Sequence, residues 1–420
     1  MSREIKPKFQ PAIADKKRFL APLQSPAIQA IIHASGIDDN ATKYTVMKVL
    51  QLFLFAGILK GFFQPLRGIV SLRGNFMACW FAGLVNWTLS GLSDVNKRIP
   101  YTVYKEIYEG LSTQVKQTKS PFTLPRLEAR FGKFKIFDAT YLRLCLKLMP
   151  WGKKQNRRDK KGQMLVSIRI DEGGYIPNSV FIDSNPSHCE THFENLIDWT
   201  LTGFTYLFDR GYRRIQTMLD IHHSGNFFIT RWNKITHITV VQELLFERQR
   251  KGDLEILHDQ RVRLGEGERK TSPLFRLVTA IYHGGEKPVT LYLLTNRFDL
   301  DAFDIADIYR YRWEIECFFK WLKSCLKINH FFTYSENGVY AQIYITLILN
   351  LLLAIYHHNQ KLNCRFGINT QRALMNDLMN FAVCLGMSLA FCSQVLSKNT
   401  TCLPPGDHTS VPITYEVVES

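Results

Sequence analysis

The sequence predicts an α/β protein with a helical front and a β-rich insertion, on three observations. Apolar residues recur at helical spacing through the first 125 positions, the period changes to alternation at Lys133, and strand-like runs crowd between Phe227 and Thr295 before helical text resumes. The expected boundaries are a helical N-terminal domain over 1–125 and the first part of an α/β core over 126–226. A β-rich insertion over 227–298 follows, then the second part of the core with C-terminal helices over 299–396. The tail, 397–420, holds Pro404-Pro405-Gly406 with Ser and Thr, and is expected to be disordered.

Each element follows from local pattern. Val46 to Phe63 and Val103 to Leu111 carry the helical period in the front part. Lys133 to Asp138, Gln163 to Ile170 and Tyr175 to Ile182 read as a three-stranded antiparallel meander, the last two joined through Asp171-Glu172-Gly173-Gly174. Between the first two lies Lys153 to Lys161, with six basic residues and one acid, a nucleic-acid contact or a solvated loop. A helix is expected over Glu190 to Thr202, then a short strand, Thr205 to Phe208, ending on Asp209-Arg210-Gly211-Tyr212. The insertion supplies strands at Phe227 to Trp232, Glu255 to Leu264, Leu274 to Tyr282 and Val289 to Leu294.

Composition narrows the partners. With 53 Lys and Arg against 37 Asp and Glu, the formal charge is +16, which favours a polyanion such as nucleic acid. The mixed-charge start is not a secretory signal, and nine singly spaced cysteines fit reduced thiols in the cytosol. Val339 to Tyr356 is charge-free but only just reaches the ~18-residue lower bound of a membrane span, so a buried helix is expected and no membrane partner. His188, Cys189 and His192 lack a second metal-binding pair, and Gly265-x-Gly267 lacks the rest of a dinucleotide loop. No nucleotide cofactor is expected.

The chemistry concentrates after Ile308. On one continuous helix at about 100° per residue, Tyr309, Arg312, Glu316, Lys320 and Lys323 share one stripe, while Ile308, Ile315, Phe319, Leu322 and Leu326 form a separate apolar one. Asp299 or Asp301 would cap it. A carboxylate among three cations and a phenol suits phosphates held beside a metal-binding acid; the alternative is an ordinary salt-bridged helix. One Glu cannot hold a catalytic metal pair, so further acids are expected at strand ends, and Asp138 and Asp209 fit. Three carboxylates would make an oxygen-only site for two Mg²⁺ ions.

Tyr309-x2-Arg312-x3-Glu316-x6-Lys323 resembles the Tyr-Arg-Glu-Lys signature of bacterial insertion-sequence transposases of the DDE class, in the branch called insertion-sequence family 4. Asp138-Ala139-Thr140 and Asp209-Arg210-Gly211-Tyr212 resemble its two acid motifs, and Thr295-Asn296-Arg297 with the signature helix resembles its third block. Residue 139 is Ala where many relatives have Gly. The resemblance covers about Lys133 to Tyr356 and implies an RNase H-like catalytic core interrupted by the β insertion. It further implies metal ligation by Asp138, Asp209 and Glu316, two Mg²⁺ ions for which Mn²⁺ substitutes, and a homodimer bringing two transposon ends together. Tyr309, Arg312, Lys320, Lys323 and Arg210 would contact DNA, and Trp232 would stack on a flipped base unless it packs in the core.

The function expected is therefore a DNA transposase that binds terminal inverted repeats, cleaves at the element ends and transfers the 3′-hydroxyls to target DNA. It would act in the bacterial cytoplasm, with the nucleoid when DNA-bound. Two rivals remain: a transposase-derived DNA-binding protein without catalysis, and a metal-dependent nuclease on the same core, which would yield no strand-transfer products.

Overall fold

The computed structural model describes residues 16–359 apart from 61–65, 75, 118–129, 146, 155–160, 172–176, 185–193, 213, 233–237, 246, 266–272, 286, 325, 327 and 329. The expected tail, most of the basic Lys153 to Lys161 stretch, and His188, Cys189 and His192 lie outside the described residues. The rest groups into two compact units. A helical unit takes in the described residues of Met1–Thr123, Ala139–Pro186 and Glu316–Cys402, and a sheet unit those of Leu124–Asp138 and Ser187–Ile315.

In the helical unit, Ser25 caps the helix Pro26–Ala34 by accepting from Ile28 N, with Pro26 in the first turn. The helix Val46–Lys60 is apolar around most of its circumference and has Val46, Val49, Leu50, Leu52, Phe53, Leu54 and Phe55 fully buried, as a central core helix must. Glu336–Tyr356 is the single described helix long and apolar enough to cross a membrane, and 94% of its apolar window is buried inside the protein. Its polar residues recur one turn apart and each is bonded. Gln342 accepts from Phe332 N at 2.9 Å and donates to His330 O at 2.7 Å, Thr346 donates to Gln342 O at 2.8 Å, and Asn350 accepts from Trp321 Nε1 at 2.9 Å. Its start is tied to the helix Tyr101–Gln117, where Asn337 accepts from Tyr101 N at 2.7 Å and the Tyr101 and Tyr340 rings meet edge to face at 4.9 Å.

Four strands belong wholly or partly here: β1 (Phe134–Cys145), β2 (Lys153–Lys154), β3 (Lys161–Asp171) and β4 (Pro177–Asp183). β3 pairs antiparallel with β2 and β4 and neighbours β1, so the three expected strands lie side by side, with a short β2 hairpin added where only a loop was anticipated. β1 also corrects an expectation. Rather than ending at Asp138, it continues to Cys145, with Leu142 and Leu144 buried and Tyr141, Arg143 and Cys145 exposed.

The sheet unit starts from the first residues of β1 and adds β5 (Thr205–Phe208), β6 (Phe227–Arg231), β7 (Ile238–Glu243), β8 (Gln249–Lys251), β9 (Leu254–Leu264), β10 (Phe275–Tyr282) and β11 (Val289–Thr295). β1, β5 and β6 are parallel neighbours, and the helix Ile215–His223 makes the crossover that a parallel β5–β6 pair requires. Tyr206, Leu207, Phe208, Phe228 and Ile229 are all fully buried, matching the uninterrupted apolar runs of strands covered on both faces. From β6 the order runs antiparallel through β11, β10 and β9 to β7, with β8 also on β9. The strands of the insertion thus extend the sheet of β5 and β6 instead of closing a sheet of their own. The helix expected over Glu190 to Thr202 is not formed by its described part: Glu194 to Leu196 make one tight turn and Trp199 and Thr200 another.

Thr295-Asn296-Arg297 locks the base of this unit. Asn296 accepts from Phe228 N and donates to Asn226 O, both at 2.9 Å. The Arg297 guanidinium donates to Asp299 at 2.8 and 2.6 Å, to Thr205 Oγ1 at 2.6 Å and to Phe131 O at 3.2 Å, and lies 4.6 Å from the Phe227 ring centroid. One cation therefore fixes the starts of β1, β5 and β6 relative to each other.

Candidate active site

The register of the parallel strands decides where the acids stand. Phe134 pairs with Thr205 and Ile136 with Leu207, the last pair of the ladder, and each acid follows two residues after that pair, so the same register continued would set Asp138 level with Asp209. Parallel neighbours lie about 4.8 Å apart, a separation two carboxylates can span with a shared divalent cation. Asp138 Oδ2 is 3.9 Å from Arg312 Nη1, and Asp209 Oδ1 accepts from Arg210 N at 2.7 Å. Both carboxylates are half-buried, and the Arg210 side chain is exposed.

The expected signature helix is corrected. A first helix, Ala302–Arg310, opens on Asp301, whose carboxylate accepts from Asp304 N at 2.6 Å; Asp299 is taken up by Arg297 and is not the cap. Tyr311 N bonds Ile308 O and Arg312 N bonds Tyr309 O, both at 3.0 Å, so the chain tightens by three-residue bonds and a second helix, Trp313–Ser324, begins. Tyr309 thus sits before the break, Arg312 within it, and Glu316, Lys320 and Lys323 after it.

Tyr309 is 6% exposed, with the Arg312 guanidinium 5.7 Å from its ring centroid. Burial pushes its phenol up to about 12, with Arg312 pulling it down, Asp209 pushing it up and Arg231 pulling it down. It is therefore a neutral O–H donor throughout the working range. Asp138, Asp209, Arg312 and Tyr309 come together in the sheet unit. Glu316, Lys320 and Lys323 belong to the helical unit, where Lys323 donates to Thr140 Oγ1, two residues after Asp138. The helix carrying them is anchored by Trp321 Nε1 on Asn350. Glu316 is half-buried and Lys320 exposed.

Trp232 departs from the expectation of base stacking. Its side chain is 5% exposed and its N donates to Tyr292 O at 2.7 Å, so the ring packs in the core next to β6 and offers no face to a base. Sequence reading also passed over Arg231, the residue before it. The signal was present: Phe227 to Thr230 is an apolar run ending on a charged residue, as Thr205 to Phe208 ends on Asp209.

Among the described residues no three His, Cys, Asp or Glu side chains are gathered into a ready metal cluster. What the sheet unit offers is a pair of hard oxygen donors on neighbouring parallel chains, the donor type that Mg²⁺ or Mn²⁺ takes and zinc centres rarely use alone.

An α/β sheet with an acid on each of two neighbouring parallel chains, near a phenol and an arginine, suits metal-assisted phosphoryl transfer. Residues 130–352 match the family described as Transposase DDE domain, and the chain belongs to that family. It is 30% identical to a protein of Sinorhizobium fredii classed as transposase y4zB, over 63% of this chain and 70% of that one. It is 23% identical to a protein of Geobacillus stearothermophilus classed as the transposase of insertion sequence element IS5377, over 80% of this chain and 82% of that one. A third relative, classed as the transposase of element IS4SA in Synechocystis, is 24% identical over 73% of this chain and 82% of that one. The protein is accordingly an insertion-sequence transposase of the DDE class, an enzyme of DNA cleavage and strand transfer, and a divalent-metal requirement goes with that family.

Proposed function

We propose that this transposase binds the terminal inverted repeats of its own element, cuts at their ends and joins the freed 3′-hydroxyls to target DNA through a two-metal site built on Asp138, Asp209 and Glu316. The observation that supports the reading is the parallel pairing of β1 with β5 just ahead of Asp138 and Asp209, with Arg312 3.9 Å from Asp138 and Tyr309 feeling the charge of Asp209. The share of Glu316 rests on the signature spacing. Two Mg²⁺ ions, or Mn²⁺ in their place, would supply activation of water or a 3′-hydroxyl and neutralise charge on the leaving oxygen. This chain's own groups bind and orient. Tyr309 donates its O–H to a phosphate oxygen, Arg312 can fork onto a second phosphate, and Lys320, Lys323 and Arg210 add cations along the strand.

The strand arrangement supports an RNase H-like core. β4 pairs antiparallel with β3, β3 neighbours β1, and β1 leads into the parallel run of β5 and β6. On this reading the front helices over 1–125 are a DNA-binding domain, 126–226 and 299–396 make the core, and 227–298 is the insertion. Membership of the insertion-sequence family 4 branch, a homodimer holding two ends, and action in the bacterial cytoplasm on nucleoid DNA complete the proposal.

The test uses the full-length protein and a duplex carrying the DNA that flanks its gene. With Mg²⁺, the wild type is expected to nick at the element boundaries and yield strand-transfer products, and Glu316→Ala to bind the duplex but leave it uncut. Cleavage at the wild-type rate by Glu316→Ala would remove the metal-site assignment. Nicking without any joined product would leave a nuclease instead.

A further inference from the structure

The helix Ala302–Arg310 is held by β10 at both of its ends. At its start, Arg276 donates to Leu300 O at 2.6 Å, just ahead of the Asp301 cap. Six residues further along the strand, on the same face, the Tyr282 ring lies under the Arg310 guanidinium, which is 5.0 Å from its centroid. Tyr282 is itself fixed. It pairs with Leu254 and Val289, His283 N donates to Asp253 O at 2.8 Å, and a Cβ on Gly284 would overlap the Tyr282 phenol oxygen and Cζ. Glycine at 284 thus answers a close approach, with the ring folded over the turn that follows its own strand.

Arg310 directly follows Tyr309. The buried Tyr309 hydroxyl is without a hydrogen-bond partner among the described residues, so no bond at the tip of the ring sets where it points. Its direction depends instead on the last helical turn, which is also where the chain tightens by three-residue bonds and leaves the helix. Within that turn the Asp307 carboxylate lies 3.7 Å from the Arg310 guanidinium, at 36% and 41% exposure. An ion pair that open to water adds little strength by itself. Together with the Tyr282 ring it gives the arginine a defined place at the point where regular backbone bonding lapses.

We infer that Arg310 is a positioning residue: stacked on Tyr282 of β10, it pins the last turn of the helix and with it the direction of the Tyr309 O–H. The inference rests on the function proposed above, in which Tyr309 donates to a phosphate oxygen, and it adds a residue outside the four-residue signature. It also gives the strands of the insertion a part in the chemistry that needs no contact with DNA, since β10 carries both Arg276 and Tyr282.

The experiment compares full-length wild type, Arg310→Ala, Tyr282→Leu, Tyr282→Phe, Tyr309→Phe and the double variant Arg310→Ala/Tyr309→Phe on the duplex carrying the DNA that flanks the gene. Cleavage is measured at saturating DNA in Mg²⁺, and binding over a series of salt concentrations. Arg310→Ala and Tyr282→Leu should each slow cleavage by about 10-fold, part of the roughly 100-fold that a misplacement of about 1 Å can cost. Their affinity and salt slope should match wild type. Tyr282→Phe keeps the ring face and should keep the rate. The double variant decides. Once the hydroxyl is gone its direction no longer matters, so Arg310→Ala should cost less than about 2-fold in the Tyr309→Phe background. Equal losses in both backgrounds would make Arg310 a merely structural residue, and a salt slope shallower by about 0.9 would make it a phosphate contact; either overturns the inference. Wild-type cleavage by Arg310→Ala, with Tyr309→Phe slow, overturns it and leaves the site reading standing. If Tyr309→Phe itself cleaves like wild type, the donor role falls and its positioning falls with it. Should Tyr282→Leu fail to melt cooperatively, Arg310→Ala carries the test alone, its side chain being 41% exposed.

Discussion

Removing Asp259 tests whether the sheet unit is built as described. Its carboxylate receives Arg276 Nε and Nη2 at 2.8 and 2.7 Å, with the two side chains only 10% and 7% exposed. Taking away one partner of a buried pair costs about 3–5 kcal/mol, most of it from the stranded charge. Arg276 cannot swing to water, because its Nη1 also donates to Arg297 O at 3.2 Å and Leu300 O at 2.6 Å. For a unit of this size each kcal/mol moves the melting point by about 2–4 °C, so Asp259→Ala should lower it by roughly 6–20 °C. Asp259→Asn keeps an acceptor without the charge and should fall between the two. The assay is differential scanning calorimetry of the three proteins at one pH. The same carbonyls lie just ahead of Asp301, the cap of the helix that delivers Tyr309. Cleavage by Asp259→Ala at 20 °C, where it remains folded, should therefore also drop. A melting point within ~2 °C of wild type would refute the buried-pair account.

Two further outcomes follow from the titrating groups. Tyr309→Phe should slow cleavage by about 10–100-fold, the loss of one donor to a charged oxygen. Because burial holds the phenol near 12, wild-type rates should show no tyrosine ionisation below about pH 10; a cleavage rate in Tyr309→Phe equal to wild type would contradict the donor role. Asp299 is held below its usual 3.8 by its hydrogen bonds to Arg297. Its folded value lies under its unfolded one, so its contribution to stability is present above that usual value and lost as the pH falls through the folded value. Asp299→Asn should thus melt lower than wild type near neutrality and converge with it only as the pH falls below 3.8 through the lower folded value, and melting curves that stay parallel down through that fall would contradict the tie.

Much of the site could be read in the residues, and the reason is local. A short apolar run ending on Asp, as at Thr205 to Phe208 with Asp209, marks both the strand and its tip. Register could not be read, since it depends on strands from Phe134, Thr205 and Phe227 meeting in space, and no local pattern specifies which residue faces which. Arg231 was hidden for that reason. Trp232 was misleading for a related one: an aromatic at a strand end serves a core as well as a ligand, and the burial that decides is a tertiary property that its neighbours in sequence do not specify. Long-range polar ties such as Asn350 to Trp321 and Arg297 to Phe131 are equally silent, because nothing near either residue names its partner.

The broken signature helix shows why a strict spacing need not mean one helix. Periodicity alone supports a continuous run, since Tyr309, Arg312 and Glu316 follow each other at three and four residues. Two contacts outside that pattern interrupt it. The Tyr311 ring packs against Phe134 at 5.7 Å between centroids, and the Arg312 guanidinium reaches Asp138 at 3.9 Å. Both targets are on β1, so the demands of that strand override the helical preference of the sequence at these two residues. Each three-residue bond turns the chain by about 20° more than a helical step, which changes the phase between the residues before the break and those after it. The interval between Arg312 and Glu316 therefore has a meaning that the wheel does not show. It is the length of chain needed for an arginine that answers to the first acid strand to hand over to a helix that answers to Asn350, and an insertion or deletion there would uncouple the two even with all four signature residues retained.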